Sequence, residues 1–282
     1  MTLKNKDINW EKIRSQFPLI SQATYLNSAS RGPFSTKTHQ KITDYHQVFL
    51  SEGTTSVVEL MNGVQQARVQ IADFINAGVE DIAFMGNSSL GMNMAANLLK
   101  GKGAVVLYDE DFPSVTLPWI NQGYEIQFFK NRIPGEISLD DIEVVRTEQS
   151  KILVISHVQY ANGIRVDLDL LGEYCERHNL ILVVDAAQSM GAFPFDVKKQ
   201  NIDILTGTGY KWLCAGYGIA MLYIDPKLLK NHIPFVGWKS FKNPNALHNK
   251  NTDFTQCAQS LETGHAPFCG ILALEESLKL TI

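Results

Sequence analysis

Long apolar runs are missing from this 282-residue chain. Stretches such as Ile152–Ile155 and Leu180–Val184 end far below the roughly 20 residues a membrane-spanning helix needs. The start, Met1-Thr-Leu-Lys-Asn-Lys-Asp, has no apolar core of the signal-peptide kind. Cysteine is scarce: Cys175, Cys214, Cys257 and Cys269 form no CxxC pair and no disulfide ladder, so a reducing, cytoplasmic location is expected. An excess of basic charge is also missing. Lys+Arg is 25 against Asp+Glu 29, a formal charge of −4, and no Lys/Arg block speaks for a nucleic-acid or anionic-membrane partner. The seven histidines include no HExxH and no Cys/His cluster with zinc spacing, so no metal is expected. Gly101-Lys-Gly lacks a Walker frame, no GxGxxG follows a strand, and no GxSxG elbow occurs, which sets aside kinase, dinucleotide and serine-hydrolase chemistry. What is present is 45% hydrophobic residues against 19% charged, enough for a large core and typical of a soluble enzyme.

Short β-branched runs alternate with longer helical patterns. Strands are predicted at 81–85, 104–108, 125–129, 151–157, 180–185, 202–206 and 218–224. A helix is predicted with Val57, Met61, Val64, Arg68, Ile71 and Ile75 on one face, and another opening at an N-cap Asp167 and carrying Leu170, Leu171, Tyr174 and Cys175. This alternation predicts an α/β fold, a mostly parallel seven-stranded sheet between helices, and the near-continuous apolar strands suit a sheet covered on both faces. Residues 1–20 read as an amphipathic lead-in helix with Trp10, Ile13 and Phe17 on one side. Residues 21–240 read as the large domain. The stretch from Lys239 to Asn251 reads as an exposed loop, and a helix is expected near Cys269-Gly270, with Ile271, Leu274 and Leu278 on one face. Residues 241–282 are expected to be the beginning of a small C-terminal domain that stops incomplete, since the helical pattern runs to Ile282 without a stop.

Chemistry concentrates at strand ends. In an open α/β sheet, ligands bind at the carboxyl edge of the strands. Asp185 closes the run Leu180-Ile-Leu-Val-Val-Asp-Ala-Ala-Gln-Ser, and Thr208-Gly-Tyr-Lys follows the end of the next strand. A carboxylate, an amide, a hydroxyl, a phenol and an amine would then line one crevice, the set that pyridoxal phosphate requires. Lysine forms a Schiff base with it, and a carboxylate keeps its pyridinium nitrogen protonated. Ser88 and Ser89 in Phe84-Met-Gly-Asn-Ser-Ser-Leu-Gly open a helix whose free amides and dipole favour a phosphate. Phe112, after the acidic turn that follows Tyr108, could lie flat on a planar ring.

With these segments in view, the chain resembles the class V aminotransferase group of fold-type I pyridoxal-phosphate enzymes, which includes cysteine desulfurases, selenocysteine lyases, isopenicillin epimerase-like proteins and kynureninases. The resemblance runs from Tyr25-Leu-Asn-Ser-Ala to about Leu278 and is strongest in Val183-Val-Asp-Ala-Ala-Gln-Ser-Met-Gly and Thr208-Gly-Tyr-Lys. It implies that Lys211 is the Schiff-base lysine, that Asp185 partners the pyridine nitrogen and that Gln188 contacts the ring's phenolic oxygen. Ser88, Ser89, Thr208 and Tyr210 would hold the phosphate, and Phe112 would stack on the ring. The implied activity is that of a transferase or lyase acting on a small amino acid, in a homodimer.

The departures from the pattern are specific. Phe112 and Tyr210 stand where desulfurases place histidines, and both are similar to kynureninases; so is Val158-Gln-Tyr, where desulfurases tend to carry Asn at the position of Tyr160. The Asp185–Gln188 spacing sides with desulfurases and transaminases, because kynureninases usually carry His there. Ser260-Leu-Glu-Thr-Gly-His-Ala-Pro resembles the family's Arg-Phe-Glu-x-Gly-Thr-Pro, with Ser260 for Arg and His265 for Thr. In the family, the arginine that grips the substrate carboxylate and the desulfurase cysteine belong to the small domain, so neither is assigned here. Cys214 reads as a packed thiol, and Cys257 and Cys269 carry no nucleophilic role. A kynureninase-type hydrolase or an epimerase is the alternative within the fold. A catalytically impaired, cofactor-binding protein or a truncated fragment is the alternative outside it.

Overall fold

A computed structural model describes residues 8–53, 57–229, 233–243, 247, 250 and 252–281; Met1–Asp7, Ile282 and part of the Lys239–Asn251 stretch lie outside the described residues. Its centre is a seven-stranded sheet: β1 (Ile82–Met85), β2 (Ala104–Tyr108), β3 (Ile126–Phe129), β4 (Ser150–Ser156), β5 (Ile181–Asp185), β6 (Ile204–Thr208) and β7 (Ala220–Ile224), in the spatial order β1-β7-β6-β5-β4-β2-β3. The ladders joining β3, β2, β4, β5 and β6 are parallel, and β7 runs antiparallel between β6 and β1. The sheet is therefore mostly parallel and doubly covered, as expected.

Nine helices accompany the sheet among the described residues: α1 (Trp10–Arg14), α2 (Pro18–Gln22), α3 (Thr36–Glu52), α4 (Val57–Ile75), α5 (Ser88–Leu98), α6 (Pro113–Asn121), α7 (Leu139–Glu143), α8 (Leu168–His178) and α9 (Phe268–Thr281). Alternation along the strands divides the core in two. Val106, Tyr108, Leu153, Ile155, Val184 and Leu205 pack with α4, α8 and α9. Val105, Leu107, Val154, Val183 and Ile204 pack with α5 and α6 on the other face. Each fully buried aliphatic side chain on these faces, such as Ile71 or Leu153, contributes about 1.5–3 kcal/mol.

Several boundaries differ from the sequence reading. The lead-in is two five-residue helices, α1 and α2, rather than one, because Pro18 at the first position of α2 cannot continue a preceding helix. On α4 the inward stripe runs through Leu60, Val64, Arg68, Ile71 and Ile75, while Met61 faces out. Asp167 does cap α8, accepting from the N–H groups of Asp169 and Leu170, but Leu170 is exposed. Strand β6 starts at Ile204 and extends to Thr208, because its antiparallel ladder with β7 continues to Thr208 opposite Ala220. Within the predicted exposed loop, Ser240 is buried and donates its hydroxyl to the carbonyl of Ser260 at 2.6 Å. Helix α9 opens at Phe268 and seats Ile271, Leu274 and Leu278 against the core beside α4.

Candidate active site

Three strands end side by side on the α5/α6 face. Ser156 closes β4, Asp185 closes β5 and Thr208 closes β6, with Ser156 directly opposite Asp185 in the parallel ladder. The α5 and α6 N-termini stand over this edge. Helix α5 comes close because Gly91 has no side chain: a Cβ there would sit 2.5 Å from the Thr206 hydroxyl. Asn87 caps α5 by accepting from Leu90 N–H at 2.9 Å, leaving Ser88 and Ser89 in its first turn. Ser89 donates its hydroxyl to Ser114, in the first turn of α6, at 2.8 Å.

The acid and the amine predicted to carry the chemistry face one another electrostatically. Asp185 is buried, and burial, reinforced by the neighbouring Asp111 charge, pushes its carboxyl up to about 7. The N–H of Ala187 at 2.7 Å and the Lys211 ammonium act the other way. Lys211 is half-buried; loss of hydration lowers its pKa, and the Asp185 charge only partly opposes that. Its Nζ lies 5.9 Å from the Phe112 ring centre and 5.8 Å from that of Tyr210. Phe112 is exposed and meets Tyr160 edge-on at 5.1 Å between centroids. Tyr210 stacks on Tyr217 at 4.7 Å.

Gln188 has both ends of its amide engaged, donating to the Ala29 carbonyl at 2.9 Å and accepting from Trp212 Nε1 at 3.0 Å. It thereby ties the 27–32 loop to the site. The same loop is held by Gly32 N–H on the Tyr210 carbonyl at 2.8 Å, and a Cβ on Gly32 would fall 1.9 Å from the Lys211 carbonyl oxygen. Thr208 is buried, and its hydroxyl has no hydrogen-bond partner among the described residues. The remaining predicted features lie elsewhere. Ser260 is buried and donates to the Cys257 carbonyl, and His265 meets Trp238 edge-on. Cys214 lies under the 27–32 loop, its thiol pushed up to about 11 by burial, which suits a packed group rather than a nucleophile.

With this geometry in place, comparison with known proteins decides the family. The family model described as aminotransferase class-V matches residues 24–281. The chain belongs to the class-V aminotransferase family. The curated relatives include an uncharacterized aminotransferase, YcbU, of Bacillus subtilis, 27% identical over 277 residues that make up 96% of this chain and 72% of YcbU. A probable cysteine desulfurase of Pyrococcus abyssi is 26% identical, covering 95% of this chain and 69% of that one. Among solved structures, the apo cysteine desulfurase of Thermococcus onnurineus superposes with a TM-score of 0.84 at 23% identity, over 96% of this chain and 70% of its own, a likeness of fold. Class-V aminotransferases use pyridoxal phosphate, and this chain is accordingly a pyridoxal-phosphate-dependent enzyme acting on an amino acid.

The residues present fit that cofactor. Thr208 offers a buried hydroxyl with nothing to bond, Asp185 a buried carboxylate that a protonated ring nitrogen would compensate, and Lys211 an amine already biased toward its neutral, nucleophilic form. Sequence reasoning passed over Asp111, Ser156 and Gln159, which the fold gathers beside Asp185. The signal for Asp111 was its place in the acidic turn just after β2, directly before Phe112. No described helix is long and apolar enough to cross a membrane, and the described residues contain no His/Cys/Asp/Glu group able to hold a metal ion.

Proposed function

We propose that Lys211 carries the cofactor through Nζ and serves as the base and acid that moves protons at the substrate Cα. The observation that carries this reading is the pairing of a desolvated Lys211 with a buried, proton-seeking Asp185 at adjoining strand ends. Asp185 would hold the ring nitrogen in its protonated form. Ser88, Ser89, Thr208 and Tyr210 would receive the phosphate at the α5 N-terminus, where free amides and the helix dipole favour an anion. Phe112 would cover one ring face, and Gln188 the phenolic oxygen. When bound, the cofactor supplies an electron sink for negative charge developing at Cα. Burial of Lys211 and Asp185 keeps water from competing for those protons.

The names of the relatives favour cysteine as substrate, with sulfur removal as the reaction. Phe112 and Tyr210, neither of them a histidine, favour the second reading, a kynureninase-type hydrolase or an epimerase. Incubating the cofactor-loaded chain with cysteine and a reducing thiol, then assaying sulfide, alanine and pyruvate, separates them: sulfide with alanine, the thiol supplying the two electrons that reduce the removed sulfur to sulfide, supports desulfuration, whereas inert cysteine turns the search to racemisation and hydrolytic cleavage. A homodimer and a cytoplasmic site of action accompany this proposal, the first testable by light scattering.

A further inference from the structure

The strand edge holds a second buried acid that the proposed chemistry has not used. Asp111 follows β2 and reaches across to β4. Its carboxylate accepts from Ser156 N–H at 2.8 Å, Ser156 Oγ at 2.5 Å, Phe112 N–H at 2.7 Å and Gln159 Nε2 at 3.3 Å. Burial pushes the Asp111 carboxyl up, and these four donors act the other way, favouring its ionised form. Ser156 is the ladder partner of Asp185, and in a parallel pair the two side chains project to the same face from strands about 4.8 Å apart. Asp111 therefore grips the residue next to Asp185 and, through its own neighbour, sets the position of Phe112.

Resting on the proposed cofactor site, we infer that Asp111 is a positioning residue of that site. It is a second carboxylate behind Asp185 that strengthens the pull on the ring proton and fixes the height of the Phe112 ring. Two consequences distinguish it from a structural staple. A negative charge beside Asp185 makes Asp185 a stronger proton acceptor, so a protonated ring nitrogen is held more firmly than Asp185 alone would hold it. The same carboxylate orders Phe112 through its amide, so ring cover and ring charge are set by one group. The charged or titratable groups that bear on Asp185 are Asp111, Lys211 and Tyr210, and His157 donates its backbone N–H to the Asp185 carbonyl at 2.9 Å.

The test uses the full chain, first without cofactor and then loaded with pyridoxal 5′-phosphate. Carboxyl-carbon NMR follows the Asp185 titration in the wild type and in Asp111→Asn, which keeps shape and removes charge. The Asp185 midpoint is expected to fall by about one unit in Asp111→Asn, and the bound cofactor's absorption titration to shift in the same direction. Ser156→Ala, which loosens Asp111 without removing it, is expected to give a smaller fall of the same sign and serves should Asp111→Asn not fold. An unchanged midpoint in a folded variant overturns the inference. Should the wild type bind pyridoxal phosphate through Lys211 while both variants titrate like it, the inference alone fails. Should the wild type not bind at Lys211, the underlying site assignment fails instead.

Discussion

Glu262 and Asp185 are both carboxylates drawn out of water, and their surroundings differ in kind. Glu262 meets Arg68 through two hydrogen bonds, at 2.7 and 3.0 Å, and also accepts Phe84 N–H at 2.8 Å, while Arg68 donates to the Ile82 carbonyl and lies over the Phe84 ring. This cluster joins α4, β1 and the turn before α9; both Glu262 oxygens and both terminal guanidinium nitrogens find counterparts, and only Arg68 Nε is left without one among the described residues. Asp185 has one amide, from Ala187, a nearby amine and a second acid behind it. The first arrangement is closed and holds the fold together. The second leaves electrostatic demand unmet at the carboxyl edge, where a cationic ligand can answer it.

The largest effect should come from opening the closed cluster. Arg68→Ala leaves the part-buried Glu262 without its cation and is expected to cost about 3–5 kcal/mol in urea unfolding; a loss below about 1 kcal/mol would erase the contrast between the two regions. At the open site, pH provides the lever. An acid whose folded pKa is raised from 3.8 to about 7 binds more protons folded than unfolded between those values, so it makes the cofactor-free chain lose stability as pH rises through that window. Asp185→Asn should abolish that slope, worth about 2–4 kcal/mol, and remove cofactor binding. Denaturation midpoints measured across the window in both chains check it.

His157 tilts the same window the other way. Burial lowers its pKa from 6.5 to about 4, so its contribution is present above 6.5 and disappears as pH falls through 4. His157→Phe is expected to flatten that acid limb by about 2–3 kcal/mol, exposing the opposite Asp185 slope; an unaltered limb would mean that the imidazole is charged in the folded chain. The smallest effect is steric. Gly32→Ala forces a methyl against the Lys211 carbonyl and should cost about 1–3 kcal/mol. Cofactor affinity should suffer more than stability, as equilibrium dialysis against thermal melting would reveal.

Much of the open site was legible in the sequence because its chemistry sits on consecutive residues at strand ends. Asp185 ends an apolar run, where strand alternation sets its face, and Lys211 follows the next strand by three residues, in the turn beyond Thr208. The closed cluster was not legible: Arg68 reads as one more position on a helical face, and its partner lies 194 residues away. Asp111 was missed for a related reason. An acid in an acidic turn reads as solvated until the fold carries it 45 residues along the chain to Ser156. The single lead-in helix failed because apolar spacing across 10–17 ignored Pro18, which starts a new helix.

The central claim is that Lys211 bears the cofactor. Loading the purified chain with pyridoxal 5′-phosphate, reducing with borohydride and mapping the modified peptide by mass spectrometry addresses it directly. The account predicts the label on Lys211, and none in Lys211→Ala. A label on another lysine, or an unlabelled but folded wild type, would contradict it.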